Sequence, residues 1–179
     1  MDLTRGEPAD LPEVRRRGTP YRVAVVCLGN ICRSPVADVV LNARIEDAGL
    51  AGQVTVHSSG TGDWHLGGPM DRRAAATLTA EGYDPTNHRS RQFTAARAGD
   101  YDLVLAMDRQ NLADLRSLRV DPERLRLFRD FDPVPGDGQV PDPFYGGESG
   151  FADVLAMVER TAIELTEQLR TTIGAGSRR

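Results

Sequence analysis

Three features of the sequence predict an α/β fold, an open four-stranded parallel sheet with helices on both faces. Short β-prone runs alternate with helical segments, the first of them is a continuous apolar stretch of the kind a buried parallel strand shows, and 179 residues suit one compact core. Right-handed crossovers between the strands are expected, with a ligand site beyond their carboxyl ends.

The run YRVAVVC (21–27) reads as the first buried strand. In the following SPVADVVLNARIEDAGL, Ser34 fits an N-cap, Pro35 the first helical position, Val36, Val39, Val40 and Ala43 one face, and Gly49 the stop. QVTVHSS (53–59) reads as a second strand and DRRAAATLTAEGY (71–83) as a short helix closed at Gly82. YDLVLAM (101–107) is a third strand, followed by a helix from Asp108 to about Leu118, and ERLRLF (123–128) is a weaker fourth strand. The segment 131–150 is too rich in proline and glycine for regular structure. A last helix from Phe151 to about Thr172 puts Phe151, Val154, Leu155, Val158, Ala162, Leu165 and Leu169 on one stripe. The organisation expected is a disordered tail over residues 1–20, one domain over 21–172 and a flexible tail over 173–179.

Composition narrows the function. Net charge is −4, which argues against a broad basic field for nucleic acid. No apolar run approaches a membrane span, and the N-terminus lacks the apolar stretch of a secretory signal, so a cytoplasmic location and no membrane partner are expected. All 22 basic residues are arginine, so any phosphate site must use arginine and backbone amides. The lack of lysine beside abundant alanine, glycine and arginine suggests a GC-rich bacterial genome. The two cysteines, Cys27 and Cys32, cannot make a disulfide framework or a four-cysteine zinc site, and His57, His65 and His88 have no metal-ligand spacing. No metal and no cofactor are expected.

Cys27-Leu28-Gly29-Asn30-Ile31-Cys32-Arg33-Ser34 joins the first strand to a helix N-terminus. Wrapped round an anion, such a loop would point its N–H groups inward, with the helix end adding partial positive charge. Gly29 can take a positive φ and leave room for an oxyanion, and Asn30 also tolerates the left-handed region. Arg33 offers a planar fork for two phosphate oxygens. A thiol at Cys27 in that bowl would ionise readily and become a nucleophile aimed at phosphorus, with Ser34 donating to its sulfur. The plainer reading has Cys27 as a buried strand-end cysteine and Arg33 as a solvated charge. The apolar strand, internal glycine, Ser-Pro and helix around the C-x5-R pattern weigh against that.

The sequence V-C-L-G-N-I-C-R-S-P resembles the signature loop of the low-molecular-weight protein tyrosine phosphatases, bacterial type. S-S-G-T-G-D-W-H (58–65), N-H-R-S-R-Q-F (87–93), A-M-D (106–108) and D-P-F-Y-G (142–146) match in order, so the likeness covers about residues 21–170. The resemblance implies a phosphocysteine mechanism with Cys27 as nucleophile, Arg33 as phosphate clamp and Asp142 as general acid. Residues Leu28 to Ser34 would line the phosphate, Asn30, Ser34, Ser58 and His88 would support the loop, and Trp64, Phe144 and Tyr145 would wall the substrate ring. It also implies a phosphotyrosine protein substrate, a cognate tyrosine kinase and a monomer or weak dimer. The family often has alanine at Ser59 and tyrosine at Phe144.

A phenolate leaves slowly unless protonated, so an acid is needed. Asp-Pro occurs at 84, 121, 132 and 142, and spacing alone does not choose among them. Trp64 could be a core residue and His88 a satisfied loop histidine. Cys32 is either packing or a redox partner that traps oxidised Cys27 as a disulfide. Three other readings compete. An arsenate reductase would need cysteines after Cys32, and there are none; an arginine phosphatase tends to have threonine at Ile31 and lacks the aromatic walls; a non-catalytic phosphate-binding or redox-sensing module would have lost Cys27, Arg33 or Asp142.

Overall fold

The computed structural model describes residues 10–144, 146 and 148–176. Four strands, β1 (Tyr21–Cys27), β2 (Val54–Gly60), β3 (Leu103–Ala106) and β4 (Leu125–Leu127), form a parallel sheet in the order β2-β1-β3-β4. Cys27 pairs with Gly60, and Val26 with both Ser59 and Ala106, so the carboxyl ends of the strands lie together. The helices are α1 (Arg33–Asp47), α2 (Arg72–Ala80), α3 (Arg109–Ser117) and α4 (Glu148–Gly176).

Side chains alternate across β1. Val23, Val25 and Cys27 face a core shared with α1, α2 and α4, while Ala24 and Val26 face a second core with Phe93, Tyr101, Leu115 and Val120. That is why the central strands β1 and β3 read as continuous apolar runs: both of their faces are covered. Every member of the expected α4 stripe, from Phe151 to Leu169, is buried. Thr161 and Thr166 are buried beside it, their hydroxyls donating to the carbonyls of Met157 and Ala162 one turn back, both at 2.7 Å.

Three boundaries differ from expectation. First, α1 begins at Arg33 with Cys32 as N-cap, so Ser34 caps nothing; its hydroxyl is engaged with Cys27 instead. Second, α4 runs from Glu148 to Gly176, because the apolar stripe continues to Ile173, which packs on the core; residues 177–179 lie outside the described residues.

Third, residues 10–20 are packed rather than a loose tail. Leu11 is buried, and the Tyr21 hydroxyl donates to the Pro12 carbonyl at 2.8 Å. The buried Asp102 carboxylate accepts the amides of Arg15 (2.7 Å) and Arg22 (2.8 Å), and Arg15 Nε donates to the Tyr101 carbonyl at 2.8 Å. This anchor sits where β1 and β3 begin, at the opposite end of the sheet from Cys27. Residues 1–9 lie outside the described residues.

Asp102→Ala leaves both amides without their acceptor, at about 1–3 kcal/mol per unpaired buried group. At about 2–4 °C per kcal/mol for a chain of this size, thermal unfolding is expected to fall by several degrees. Phosphate affinity is expected to hold; an unchanged melting temperature would show that the Asp102 bonds contribute no net stability.

Candidate active site

The loop after β1 is shaped by its carbonyls. The Cys27 carbonyl accepts the Thr61 amide, Leu28 accepts Gly62, and Ile31 accepts Asp71, each at 2.9 Å. The Asn30 carbonyl accepts the Ser90 hydroxyl at 2.8 Å and the His88 Nε2–H at 2.7 Å, which fixes the histidine tautomer. With these oxygens turned into the surrounding protein, the loop's remaining face is left to amides, the arrangement that binds an oxyanion. Burial holds His88 below the usual imidazole range, so it stays a neutral donor, although its bond to Asn30 pulls the other way.

Asn30 is the residue in the left-handed region, with φ 56°, and it is buried. Its side chain works in both directions: Nδ2 donates to Ser34 Oγ at 2.9 Å and Oδ1 accepts the Arg91 amide at 2.9 Å. Of the two residues able to take a positive φ, Gly29 does not; a β-carbon there would come within 3.3 Å of His65 Cδ2. A stronger demand for glycine falls at Gly60, where a β-carbon would sit 2.6 Å from the Leu28 carbonyl oxygen. Nothing in the local sequence of β2 announces that contact, because the loop it accommodates is remote in the chain.

The Cys27 sulfur is 3.0 Å from Ser34 Oγ and accepts the Asn30 amide at 3.3 Å. Ser34 Oγ also lies 3.2 Å from the Ser59 carbonyl oxygen. One hydroxyl proton therefore has two acceptors. It can be given to the Ser59 carbonyl or to the Cys27 sulfur. Ser58 is buried on the face of the sheet that packs against α1, with its hydroxyl and amide bonded to Asp38. Burial pushes the Asp38 carboxyl up to about 6. Ser58 thus ties β2 to α1, whose first turn carries Arg33 and Ser34.

Arg33 is buried and held from behind: Nη1 donates to Asp108 Oδ2 at 2.6 Å and to the Val140 carbonyl at 3.1 Å. Burial opposes its charge, but Cys27, Asp108 and Asp142 outweigh that and raise its pKa. Asp108 also caps α3 by accepting the Asn111 amide at 2.7 Å. Sequence reasoning noted A-M-D without giving Asp108 a role; a capping aspartate at the end of β3, facing the first strand's loop, was the available signal.

Asp142 Oδ2 stands 3.6 Å from Arg33 Nη2, and its side chain is 38% exposed. None of the other Asp-Pro aspartates is paired with Arg33. Asp132 is buried between Arg129 (3.0 Å) and Arg160 (2.6 Å); burial alone would raise its pKa, but Arg160, the Val134 amide and Arg129 hold it below the usual range. Asp84 and Asp121 accept backbone amides in turns. Trp64 is 68% exposed, in contact with Gly62 beside the loop, and Phe144 is half-buried two residues after Asp142. Tyr145 lies outside the described residues.

Cys32 is buried, and both cysteines are free. Among the described residues no group of His, Cys, Asp or Glu could hold a metal, and no helix is long and apolar enough to cross a membrane.

Asn30→Gly keeps the left-handed backbone and loses the two side-chain bonds, whereas Asn30→Ala also adds about 1–2 kcal/mol of strain. Orthophosphate binding is expected to weaken in the order wild type, glycine, alanine. Equal losses in the two variants would place the whole effect in the side-chain bonds.

The family model for low molecular weight phosphotyrosine protein phosphatase matches residues 22–174. A low molecular weight protein-tyrosine-phosphatase of Streptomyces coelicolor is 45% identical over 158 residues, 86% of this chain and 96% of that protein. A crystal structure of an Entamoeba histolytica protein tyrosine phosphatase with Hepes in its active site superposes with TM-score 0.80 at 31% identity, covering 84% of this chain and 97% of that one. The YwlE arginine phosphatase, a cysteine-to-serine mutant with a phosphorylated active-site serine, superposes with TM-score 0.76 at 26% identity, covering 84% and 96%. The outward carbonyls, the paired thiol and serine, and the back-held arginine thus stand on a recognised frame: this chain belongs to the low molecular weight phosphotyrosine protein phosphatase family.

Proposed function

We propose that this phosphatase removes phosphate from phosphotyrosine in proteins by way of a phosphocysteine on Cys27, without metal. The carrying observation is the convergence at one loop of the Cys27 thiol, the back-held Arg33 fork and Asp142, 3.6 Å from that fork. In the first step the Cys27 thiolate attacks phosphorus in line, the bond to the phenolic oxygen breaks, and Asp142 gives its proton to that oxygen. Amides of residues 28–34 and Arg33 hold the equatorial oxygens, as phosphoryl transfer requires. In the second step water attacks phosphorus, its proton passes to Asp142, and the thiolate leaves, stabilised by the Ser34 hydroxyl.

Trp64, Phe144 and Tyr145 would flank the ring. The fold is shared with an arginine phosphatase, but Ile31 and the aromatic residues favour an aryl ester. A tyrosine kinase must supply such a substrate, and a reactive free thiolate suits the reducing cytoplasm. The deciding measurement is hydrolysis of phosphotyrosine and phosphoarginine peptides with chelator present; preference for phosphoarginine would overturn the aryl assignment.

Cys27→Ser is expected to abolish turnover and retain phosphate or vanadate. Asp142→Asn is expected to slow phenyl phosphate far more than a nitrophenyl phosphate, because a stable phenolate departs unaided; the acid contribution is of the order of 10²–10⁴-fold. Turnover by Cys27→Ser at a sizeable fraction of wild type, or equal losses for Asp142→Asn, would break the mechanism at that residue.

The same reading makes Cys32 the thiol that captures Cys27 sulfenic acid, forming the disulfide and releasing water. Burial, then the charges of Asp71, Cys27 and Asp142, push the Cys32 thiol up to about 12, so its nucleophilic thiolate is scarce at neutral pH. After peroxide and then dithiothreitol, wild type is expected to recover more activity than Cys32→Ser, with a wider gap at pH 9 than at pH 7. Equal recovery at both would leave Cys32 as packing.

A further inference from the structure

Arg73 lies on α2, outside the phosphate loop. Its Nη2 donates to the Phe144 carbonyl at 2.9 Å, and its guanidinium stands 5.5 Å over the Phe144 ring and 4.7 Å over the Phe151 ring. The same side chain forks onto Asp71, with Nε 3.3 Å from Oδ1 and Nη2 3.2 Å from Oδ2. Asp71 caps α2 by accepting the Arg73 and Ala74 amides, and its own amide holds the Ile31 carbonyl of the phosphate loop. At the other end, the Phe144 amide donates to Asp142 Oδ1 at 3.0 Å. A continuous path therefore runs from the Ile31 carbonyl through Asp71, Arg73 and Phe144 to the Asp142 carboxylate.

We infer that Arg73 is a positioning residue that clamps the Asp142 segment at a set distance from the phosphate loop. The inference rests on Asp142 being the general acid. The segment is built of proline and glycine around Asp142, so its backbone has no ladder to hold it. Arg33 faces the Asp142 carboxylate and Arg73 grips the Phe144 carbonyl, so two arginines hold the segment at neighbouring points. Arginine suits this place because its flat fork can pair with a carboxylate, donate to a carbonyl and stack on two rings at once. Lysine can donate to the carbonyl but cannot make the fork. Arg73 touches no reacting atom; it acts through the placement of Asp142, and a displacement of about 1 Å costs about 10²-fold in such geometry.

The test compares kcat/KM for phenyl phosphate and a nitrophenyl phosphate in wild type, Arg73→Ala, Arg73→Lys, Asp142→Asn and the Arg73→Ala/Asp142→Asn double variant. Orthophosphate inhibition and thermal unfolding are measured beside them. Arg73→Ala is expected to lose about 10-fold more on phenyl phosphate than on the nitrophenyl ester, below the full contribution of an acid. Arg73→Lys is expected to fall between wild type and alanine. In the Asp142→Asn background, Arg73→Ala is expected to add little to the selectivity, because the two act as one unit. A loss from Arg73→Ala that is even across the two esters, beside a selective loss from Asp142→Asn, overturns the clamp alone. Even losses from Asp142→Asn overturn the acid assignment and the clamp with it. If Arg73→Ala does not fold, the Arg73→Lys ratio decides, and a ratio equal to that of wild type overturns the clamp.

Discussion

The hydrogen bonds that draw the carbonyls of Cys27, Leu28, Asn30 and Ile31 into the protein are the constraint on which the rest depends. A backbone free to choose would solvate its carbonyls and amides alike. Here donors come from three separate stretches, Thr61 and Gly62 after β2, Asp71 before α2, and His88 with Ser90 in the following loop. Each is placed by a different part of the fold, and together they leave the loop one conformation with its amides on the open face. The penalty for leaving a buried carbonyl unmet, about 1–3 kcal/mol, is spread over elements that the two cores already hold in place.

The sheet separates stability from chemistry by its polarity. Where the strands begin, Asp102 ties residues 15 and 22 together and anchors the N-terminal segment to the central strands. That segment precedes the residues matched by the family model, which start at 22. Where the strands end, Cys27, Gly60 and Asp108 meet, and their demands are steric and electrostatic rather than apolar. Gly60 illustrates the coupling between levels, since a methyl group there would strike the Leu28 carbonyl that Gly62 holds.

Asp132 and Asp142 show how environment divides one dipeptide into two roles. Both precede proline. Asp132 is buried and saturated by Arg129 and Arg160, which makes it a permanent anion tying the loop to α4. Asp142 is partly exposed beside Arg33, the position that the proposed function gives to the general acid. Arg73 extends that division by holding Phe144.

Hydrophobic pattern alone determined the strand–helix alternation, the parallel sheet and the buried stripe of α4, because burial on both sheet faces or along one helix face imposes a local period. The residue types from Cys27 to Ser34 likewise announced an anion loop, since a thiol, a glycine, an arginine and a helix start are chemically legible in a row. Tertiary structure decided the rest. Ser34 looks like a cap locally but is turned to the Cys27 sulfur by the packing of α1 on β2. The left-handed residue is Asn30 and not Gly29, because Asn30 alone can satisfy Ser34 and Arg91 from that conformation. Asp108 behind Arg33, and the outward pull on the loop carbonyls, depend on contacts between residues dozens of positions apart. Such contacts follow from how the elements pack, and no local period or spacing encodes them.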